Sequence, residues 1–413
     1  MNSLDKNIVI ALVMLACLPF DQVLQFNVGV AILSVVDVIQ LYLLFILIIL
    51  MITRGFQLYG SLLFFFTIFL FTSSLIISVA ILGASIGDSI RQARFFFPFI
   101  LATAICATKL RADNKIVLTW VAFAIGFSAL WAIVLHLYYP AYLGRLFATS
   151  EELSLVVLDG GRMYWERGTL SFFVVAAFLL TKKMHVKLFF MMILVFFAIF
   201  LTQSRTLAIA LFLYFLVGYL VIFKKPISLM IYSIFLLLFS GFAFLVAADE
   251  KMQQLFNTRF FGGDDFQSEF GRAFIVNRVT NYEQYFDIIK NSFPFGQGLG
   301  RPLSVTMFFD EIYTSDISFI SFLLPFGIFG VILFLWFLII IWRYFSSFKE
   351  AGHTSNFQKV FFIMVTTTLL LSLNLDIYSR NIFVIYLAFF ASLYFQGLQD
   401  AMSKGVLHVK QYV

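Results

Sequence analysis

Long apolar stretches separated by short polar turns dominate this sequence. A membrane-spanning helix needs roughly 20 apolar residues, and Asp37 is the one charged residue inside these stretches. The pattern predicts an all-α, polytopic integral membrane protein in which residues 1–413 form a single membrane domain. The shorter stretches are expected to extend into neighbouring polar sequence. The twelve predicted spans are residues 8–20, 35–52, 61–82, 95–107, 116–139, 170–181, 188–201, 207–223, 227–248, 317–341, 360–373 and 382–395.

The composition supports this class. The chain is 62% hydrophobic and 12% charged, with a mean hydropathy of +0.98, which is more apolar than a soluble domain requires. Residues 8–20 follow Lys6 as a signal peptide would, but they lack a small-residue cleavage site and are interpreted as the first helix. The net charge of +6 is divided between two sides of a membrane, so no nucleic-acid partner is expected. Cys17 and Cys106 predict no disulfide framework.

The lysines predict the topology, because basic residues are enriched on the cytoplasmic side of membrane proteins. Basic groups fall on alternate turns between the spans, which puts both termini in the cytoplasm. Two long segments then lie outside, residues 140–169 and residues 249–316. In the second, Ser268 is placed to cap a helix over about residues 269–291 that ends before Pro294. The alternating groups are Arg54, Lys109/Arg111/Lys115, Lys182/Lys183/Lys187, Lys224/Lys225, Arg343/Lys349/Lys359 and Lys404/Lys410.

The arginines contradict the lysine pattern. Twelve of the 14 lysines fall on the predicted cytoplasmic side, but 11 of the 14 arginines fall on the outer side. Arginine binds phosphate through a planar two-pronged fork that lysine lacks. The outer face is therefore predicted to bind a phosphate-bearing or acidic substrate. The outer arginines are Arg91, Arg94, Arg145, Arg162, Arg167, Arg205, Arg259, Arg272, Arg278, Arg301 and Arg380.

Arg205 is the first candidate for substrate chemistry. With Ser204, it lies in the tight outer turn TQSRT of residues 202–206, at the membrane–water boundary. A charge at this boundary is costly and usually has a partner. The alternative is an arginine that extends to lipid headgroups.

The predicted loop helix supplies further candidates. Phe274, Arg278, Tyr282 and Phe286 are spaced four apart and share one face. Arg272 is six residues before Arg278, so the two arginines point in different directions. Either residue alternatively belongs to a solvated helix face.

A glycine-rich stretch and a carboxylate follow the predicted loop helix. Residues 296–301, GQGLGR, either present backbone amides to an anion or form a flexible turn, and Arg301 ends the stretch. Asp316 opens the tenth span. It is either a general base that faces a sugar hydroxyl or a carboxylate favoured by the helix dipole.

Three more arginines are placed to line the rim of a common outer cavity. Arg91 and Arg94 begin the fourth span, and Arg380 begins the twelfth, where Asp376 is a possible partner. Asp37 is interpreted as a buried polar contact. No arrangement has metal-ligand spacing, so neither a metal nor a cofactor is expected.

Three stretches, in this order, resemble the O-antigen polymerase and O-antigen ligase superfamily of bacterial membrane glycosyltransferases. Residues 201–205 look like the family's Ser-Arg turn. Residues 278–300 resemble its Arg-x3-aromatic helix and the following Pro-Gly-x-Gly-Leu-Gly, with Tyr282 where a Trp is common. Residues 316–335 resemble its next span. The resemblance covers roughly residues 195–340.

The resemblance implies a GT-C-like membrane enzyme of the bacterial inner membrane that acts on its periplasmic face without a nucleotide sugar. The implied substrate is an undecaprenyl-diphosphate-linked oligosaccharide, and a chain-length regulator is a possible partner. Arg205 and Arg278 are expected to stabilise the departing diphosphate, and Asp316 is expected to take the acceptor proton. Ser204, Tyr282, Arg272, Arg91, Arg94, Arg301 and Arg380 are expected to bind substrate.

Three functions stay open at this point. Asp316 aligns with a position where ligases carry a His, and residues 249–316 contain no histidine, which favours a polymerase. An O-antigen ligase uses the same donor with a lipid A-core acceptor. A lipid-linked oligosaccharide flippase also has a cationic cavity, but its halves are expected to look alike, and these do not.

Overall fold

The computed structural model is an all-helical bundle. It describes residues 3–19, 25–27, 32–81, 83–84, 86–138, 165–181, 184–202, 204–222, 290, 294–296, 298–299, 318–346, 356–372, 378 and 381–403. Its α-helices are α1 Ser3–Cys17, α2 Val35–Arg54, α3 Leu58–Ile76, α4 Ile86–Phe95, α5 Phe97–Ala107, α6 Asn114–Tyr138, α7 Ser171–Leu180, α8 His185–Leu201, α9 Arg205–Ile222, α10 Ser318–Ser346, α11 Asn356–Leu371 and α12 Phe383–Ser403.

Eleven of the twelve predicted spans coincide with these helices, and the predicted span 227–248 lies outside the described residues. Most of the two predicted outer segments, 140–169 and 249–316, also lies outside them. Lys290, at the end of the predicted loop helix, is helical. Three short elements accompany the helices. They are an antiparallel strand pair, Gln25–Asn27 with Ile32–Ser34, a π-helical segment, Ile77–Ile81, and a 3-10 turn, Gly168–Leu170.

The fold is that of a polytopic membrane protein. Among the described residues, four helices are long and apolar enough to cross a membrane, and shorter apolar helices pack between them. The long ones are Val35–Arg54, Leu58–Ile81, Asn114–Leu137 and Ser318–Ser346.

The expected extension of the short spans occurs in α12 but not in α5 or α7. Helix α5 has 11 residues and α7 has 10, so each rises only about 15–17 Å at 1.5 Å per residue. Every residue of α7 before Leu180 is buried, as is α5 from Leu101 onwards. A helix covered by protein on all sides meets protein rather than lipid at its ends, so it need not match the bilayer thickness.

The ends of the helices are tied together at one face of the bundle, which we call the Lys109 face. Arg54, at the end of α2, donates hydrogen bonds to both carboxylate oxygens of Asp5 in α1 and to the carbonyl oxygen of Lys109. The Tyr344 hydroxyl, near the end of α10, donates to the carbonyl oxygen of Cys106 in α5 at 2.7 Å. The start of α1 and the ends of α2, α5 and α10 therefore share this face.

The opposite end of the bundle is called here the Arg167 face. Arg167, just before α7, donates from Nε to the carbonyl oxygen of Leu15 near the end of α1. Arg94, in the last turn of α4, pairs with Asp37 in the first turn of α2. For the helix ends named here, the order agrees with the alternation that the lysines predict. The assignment of each face to a cellular compartment stays a prediction.

Candidate functional site

Helix α10 is broken at Pro325–Gly327, near its end at the Arg167 face. Proline lacks a backbone N–H and its ring disrupts the preceding helical turn. Gly327 has φ 59° and ψ −145°, outside the helical region, and the helix resumes after it. Breaks of this kind leave backbone groups that must find other partners, especially at membrane depth.

The glycine-rich segment of residues 294–299 supplies those partners. Ile328 N donates to the carbonyl oxygen of Pro294 at 3.0 Å, and Gly298 N donates to that of Pro325 at 3.1 Å. This part of the predicted outer segment is thereby hydrogen-bonded into the break of α10. We call this arrangement the glycine junction. The Gly298 amide is committed to protein, so it is not part of an anion-binding loop.

Glycine is required at two positions of the junction. A Cβ on Gly327 would overlap the carbonyl oxygen of Pro294 and lie 2.6 Å from Gly296 N. A Cβ on Gly296 would lie 2.7 Å from the Pro325 carbonyl carbon. Both glycines also have positive φ, 80° at Gly296 and 59° at Gly327, a region that other residues rarely adopt. The two backbones thus approach too closely for any side chain.

Two serines from the N-terminal half hold the junction. Ser74 Oγ, in α3, donates to the carbonyl oxygen of Pro325 at 3.4 Å, just before the π-helical segment. Ser89 Oγ, in α4, donates to the carbonyl oxygen of Leu299 at 3.0 Å. Leu299 itself is fully buried. The junction therefore connects α3, α4 and α10 at one place.

Buried phenylalanine rings pack around the break. The ring of Phe326 lies 4.6 Å from that of Phe71 and 5.3 Å from that of Phe96, between centroids. Phe99 and Phe322 are 4.7 Å apart just below them. This aromatic packing fixes the broken half of α10 against α3 and α5.

Helix α4 carries the best described arginine of the predicted site. Arg94 Nε donates to Asp37 Oδ1 at 2.8 Å, and Arg94 Nη2 lies 2.6 Å from Asp37 Oδ2. The Arg94 side chain remains 38% exposed. The predicted polar contact of Asp37 is confirmed, and its partner is one of the predicted rim arginines. Arg91 lies one turn earlier in α4, and its side chain is outside the described residues.

Arg167, one of the arginines predicted to lie on the outer side, is buried inside the protein. Its side chain is only 1% exposed and lies 3.6 Å from Glu166 Oε2 through Nη1. It also donates to Leu15, as described above. This arginine ties α1 to the start of α7, so part of the outer arginine excess serves packing. The continuous burial of α7 is the feature that indicates a packing role for Arg167. That burial arises from tertiary contacts.

The predicted Ser-Arg turn is partly described. Helix α9 begins at Arg205, and the half-buried Ser204 accepts a hydrogen bond from Ala208 N at 3.0 Å. Thr202 Oγ1 donates to the carbonyl oxygen of Ile199 and ends α8. The tight turn between two apolar helices is thus present, and the Arg205 side chain lies outside the described residues.

The other predicted site residues also lie outside the described residues. They are Arg272, Arg278, Tyr282, Arg301, Asp316 and Arg380. Two described residues next to them are in contact, since Tyr378 N donates to Ser318 Oγ at 3.2 Å. Ser318 follows Asp316 by two residues and Tyr378 precedes Arg380 by two. No cluster of three or more potential metal ligands occurs among the residues that the structure describes.

These features define a helical membrane protein with a broken helix, a glycine junction and arginines at one face. Residues 190–335 match the family described as O-Antigen ligase. This match supports a relationship between this segment and the O-antigen polymerase and ligase superfamily. The matched segment runs from α8 through α10 and includes both sides of the glycine junction. No curated protein matches the chain.

Proposed function

We propose that this protein polymerises undecaprenyl-diphosphate-linked oligosaccharide repeat units into O-antigen or a related surface polysaccharide. The family match over residues 190–335 carries the proposal. The reaction is placed on the periplasmic face of the bacterial inner membrane, where the arginine-rich segments are predicted to lie. The absence of histidine from residues 249–316 favours polymerase over ligase.

The proposed reaction is a glycosyl transfer between two lipid-linked saccharides. A hydroxyl oxygen of one repeat unit attacks the anomeric carbon of the growing chain. The bond from that carbon to the diphosphate oxygen breaks, and the diphosphate leaves with the electron pair. Arg205 and Arg278 stabilise the developing charge on the departing oxygen. Asp316 takes the hydroxyl proton or orients that hydroxyl.

The glycine junction supports this assignment of residues. In transporters, broken helices at membrane depth form the substrate sites. The junction segment follows the predicted helix that carries Arg278 and Tyr282, and Arg301 comes two residues after Leu299. Asp316 precedes Pro325 by nine residues in the same part of the chain. Residues 294–296 and 298–299 lie between these candidates in the sequence, and the glycine junction holds them against α10.

Ligation is the second candidate function, because the matching family is described as O-Antigen ligase. A ligase uses the same lipid-diphosphate donor and transfers the chain to lipid A-core. The chemistry at Arg205 and Arg278 is then unchanged, and only the acceptor differs.

The glycans of a deletion strain separate these functions. A polymerase deletion is expected to leave single repeat units on lipid A-core. A ligase deletion leaves bare core, while long chains accumulate on the lipid carrier. Gel electrophoresis of the lipopolysaccharide, together with extraction of the carrier-linked glycans, distinguishes the outcomes. Bare core with carrier-linked polymer contradicts the polymerase proposal.

A further inference from the structure

A cavity lies at the Lys109 face of the bundle. It has a volume of about 560 Å³ and lies between α1, the turn from α5 to α6, and α12. This size falls within the range of roughly 300–1,000 Å³ that small-molecule sites occupy. Its lining includes Val9, Arg111, Asp113, Trp120 and Gly397. None of these is a candidate residue for the glycosyl transfer, so the proposed function leaves the cavity unexplained.

Arg111 is the basic side chain of the lining. Its backbone N donates to Asp5, but its exposed guanidinium makes no hydrogen bond or ion pair with any residue that the structure describes. Asp113 supplies a carboxylate, whose Oδ1 accepts from Lys115 N and Ile116 N at the start of α6. That carboxylate is engaged by the helix, whereas the guanidinium keeps its planar fork of N–H donors for a ligand. The polar part of the cavity therefore fits an anion such as a phosphate.

The α6 wall of the cavity is apolar. Ile116 and Trp120 lie one turn apart in this wall and are 57% and 60% exposed. Both belong to the candidate membrane span that begins at Asn114. Exposed apolar side chains of a span contact lipid chains, and tryptophan is enriched where the membrane meets water. The cavity thus joins a cationic end to a surface suited to acyl chains.

Gly397 keeps the cavity open on the side of α12. A Cβ at this position would meet no atom of the described structure within 4 Å, in contrast to Gly296 and Gly327 of the junction. Neither a positive φ nor a close backbone contact explains this glycine, and glycine inside a helix is less stable than alanine. An occupant of the cavity gives a physical reason for the missing side chain.

We propose that this cavity binds an anionic phospholipid, with the phosphate on Arg111 and the acyl chains along Ile116 and Trp120. The site is separate from the proposed glycosyl transfer and does not rest on it. Lys6 in α1 and Lys115 in α6 are exposed near the lining and favour a lipid with net negative charge. Basic pockets between membrane helices bind such headgroups on the cytoplasmic side, where the Lys109 face is predicted to lie.

Fluorescence quenching at Trp120 tests the proposal. The protein is placed in nanodiscs of phosphatidylcholine that contain a small fraction of brominated phosphatidylglycerol, whose bromine quenches a tryptophan that it contacts. The Trp120 signal is the difference between wild type and Trp120→Phe. Nanodiscs with the bromine on phosphatidylcholine or on phosphatidylethanolamine give the preference among headgroups. Inorganic phosphate added to the buffer distinguishes a lipid site from a site for a free anion.

Phosphatidylglycerol is expected to quench Trp120 about fivefold more effectively than phosphatidylcholine at equal fraction. Arg111→Gln is expected to abolish this preference. Arg343→Gln, at an exposed arginine of the same face outside the lining, is expected to keep it. Equal quenching by the three lipids, a preference for phosphatidylethanolamine, or an unchanged preference in Arg111→Gln overturns the proposal. Displacement of the lipid by inorganic phosphate also overturns it, because the ligand is then a free anion.

Gly397→Leu keeps every charge and fills the cavity, so it tests the site if Arg111→Gln lowers stability. The matched control, Gly397→Ala, places a smaller group at the same position of the helix. Quenching of Trp120 by phosphatidylglycerol is expected to fall several-fold in the leucine variant and to stay near the wild-type level in the alanine variant. Thermal stability of both variants shows whether the bundle is intact. Equal quenching in the two variants means that the lipid does not occupy the cavity, which contradicts the proposal.

Discussion

Two arginine–carboxylate pairs lie at opposite ends of the helix bundle. On the Lys109 face, Arg54 binds Asp5 end-on through Nη1 and Nη2, and the side chains are 16% and 3% exposed. On the Arg167 face, Arg94 binds Asp37 side-on, and the side chains are 38% and 13% exposed. The two pairs share their chemistry and differ in which edge of the guanidinium the carboxylate takes.

The two pairs also differ in the other groups that each of them contacts. Arg54 also donates to the Lys109 carbonyl oxygen, and Arg111 N donates to Asp5. The pair on the Lys109 face therefore joins three helix ends. Arg94 lies on a short helix that contacts the glycine junction, which is within the segment that matches the family. The first pair thus joins helix ends on one face, and the second joins the short helix α4 to the start of α2 on the other. The two faces are therefore expected to respond differently to substitution.

The largest effect is expected in the labelling of cysteines that report which side of the membrane each face occupies. Ala84 lies on the Arg167 face and Ala112 on the Lys109 face, and both are partly exposed. In a background without Cys17 and Cys106, an impermeant thiol reagent is expected to label A84C in intact spheroplasts. A112C is expected to react only after permeabilisation. The reverse pattern would invert the two faces and remove the basis for an outer arginine site.

The next prediction concerns the proton acceptor. Asp316→Asn keeps the shape of the side chain and removes its charge. We expect polymerisation by the purified protein to fall by roughly 10²–10⁴ if Asp316 is a general base. Near-normal polymerisation would return Asp316 to the role of a charge at a helix start. Asp5→Asn, on the other face, is the matched control and is expected to leave the rate unchanged.

Replacement of arginine by lysine is expected to reduce activity at one face only. Arg205→Lys keeps the charge but loses the fork that grips phosphate, so it is expected to be nearly as damaging as Arg205→Ala, with a loss of roughly 10²–10³. Arg343→Lys is the control, because Arg343 lies exposed on the Lys109 face near the ring of Tyr59. Full polymer length in the Arg205→Lys strain, at normal expression, would show that charge alone suffices.

The glycine junction predicts a difference in stability. Gly327→Ala introduces a positive-φ strain of about 1–3 kcal/mol and overpacking against Pro294 of about another 1–3 kcal/mol. Gly83→Ala carries the strain alone, because Gly83 has φ +67° and a Cβ at that position would meet nothing within 4 Å. The detergent-solubilised Gly327 variant is expected to lose more thermal stability than the Gly83 variant. Equal losses would mean that the junction is not tightly packed.

The smallest effect is expected at the pair of Arg54 and Asp5. Asp5→Asn leaves the Arg54 guanidinium without its carboxylate, at a cost of about 1–2 kcal/mol for a partly buried charge. Its thermal stability is expected to fall while polymer length stays normal. Loss of polymer at wild-type protein levels would show that the Lys109 face also contributes to activity.

The helices can be predicted from the sequence because burial in lipid depends on local composition. Eleven predicted spans coincide with described helices for this reason. Helix α4 is not predicted as a separate element, because the apolar pattern joins the sequence from Arg91 onwards to the next span. Its amphipathic pattern and the break at Phe96, before Pro98, are local signals of a separate helix.

The glycine junction cannot be predicted in this way, because it depends on contacts between segments far apart in the chain. The sequence GQGLGR predicts an anion loop or a flexible turn, yet Gly296 packs directly against Gly327. The burial of Arg167 likewise follows from how α1 and α7 meet. By contrast, the pairing of Asp37 with a polar partner is predictable, since a carboxylate in an apolar stretch requires one.

Reconstitution of the purified protein is the direct test of the proposed polymerase activity. The purified protein is placed in proteoliposomes with undecaprenyl-diphosphate-linked repeat units, without a nucleotide sugar, and the products are resolved by size. We expect a ladder of carrier-linked oligomers with release of undecaprenyl diphosphate, and we expect this ladder to be lost with the Arg205→Lys protein. Repeat units that stay single with wild-type protein, but are transferred to added lipid A-core, would contradict it and identify a ligase.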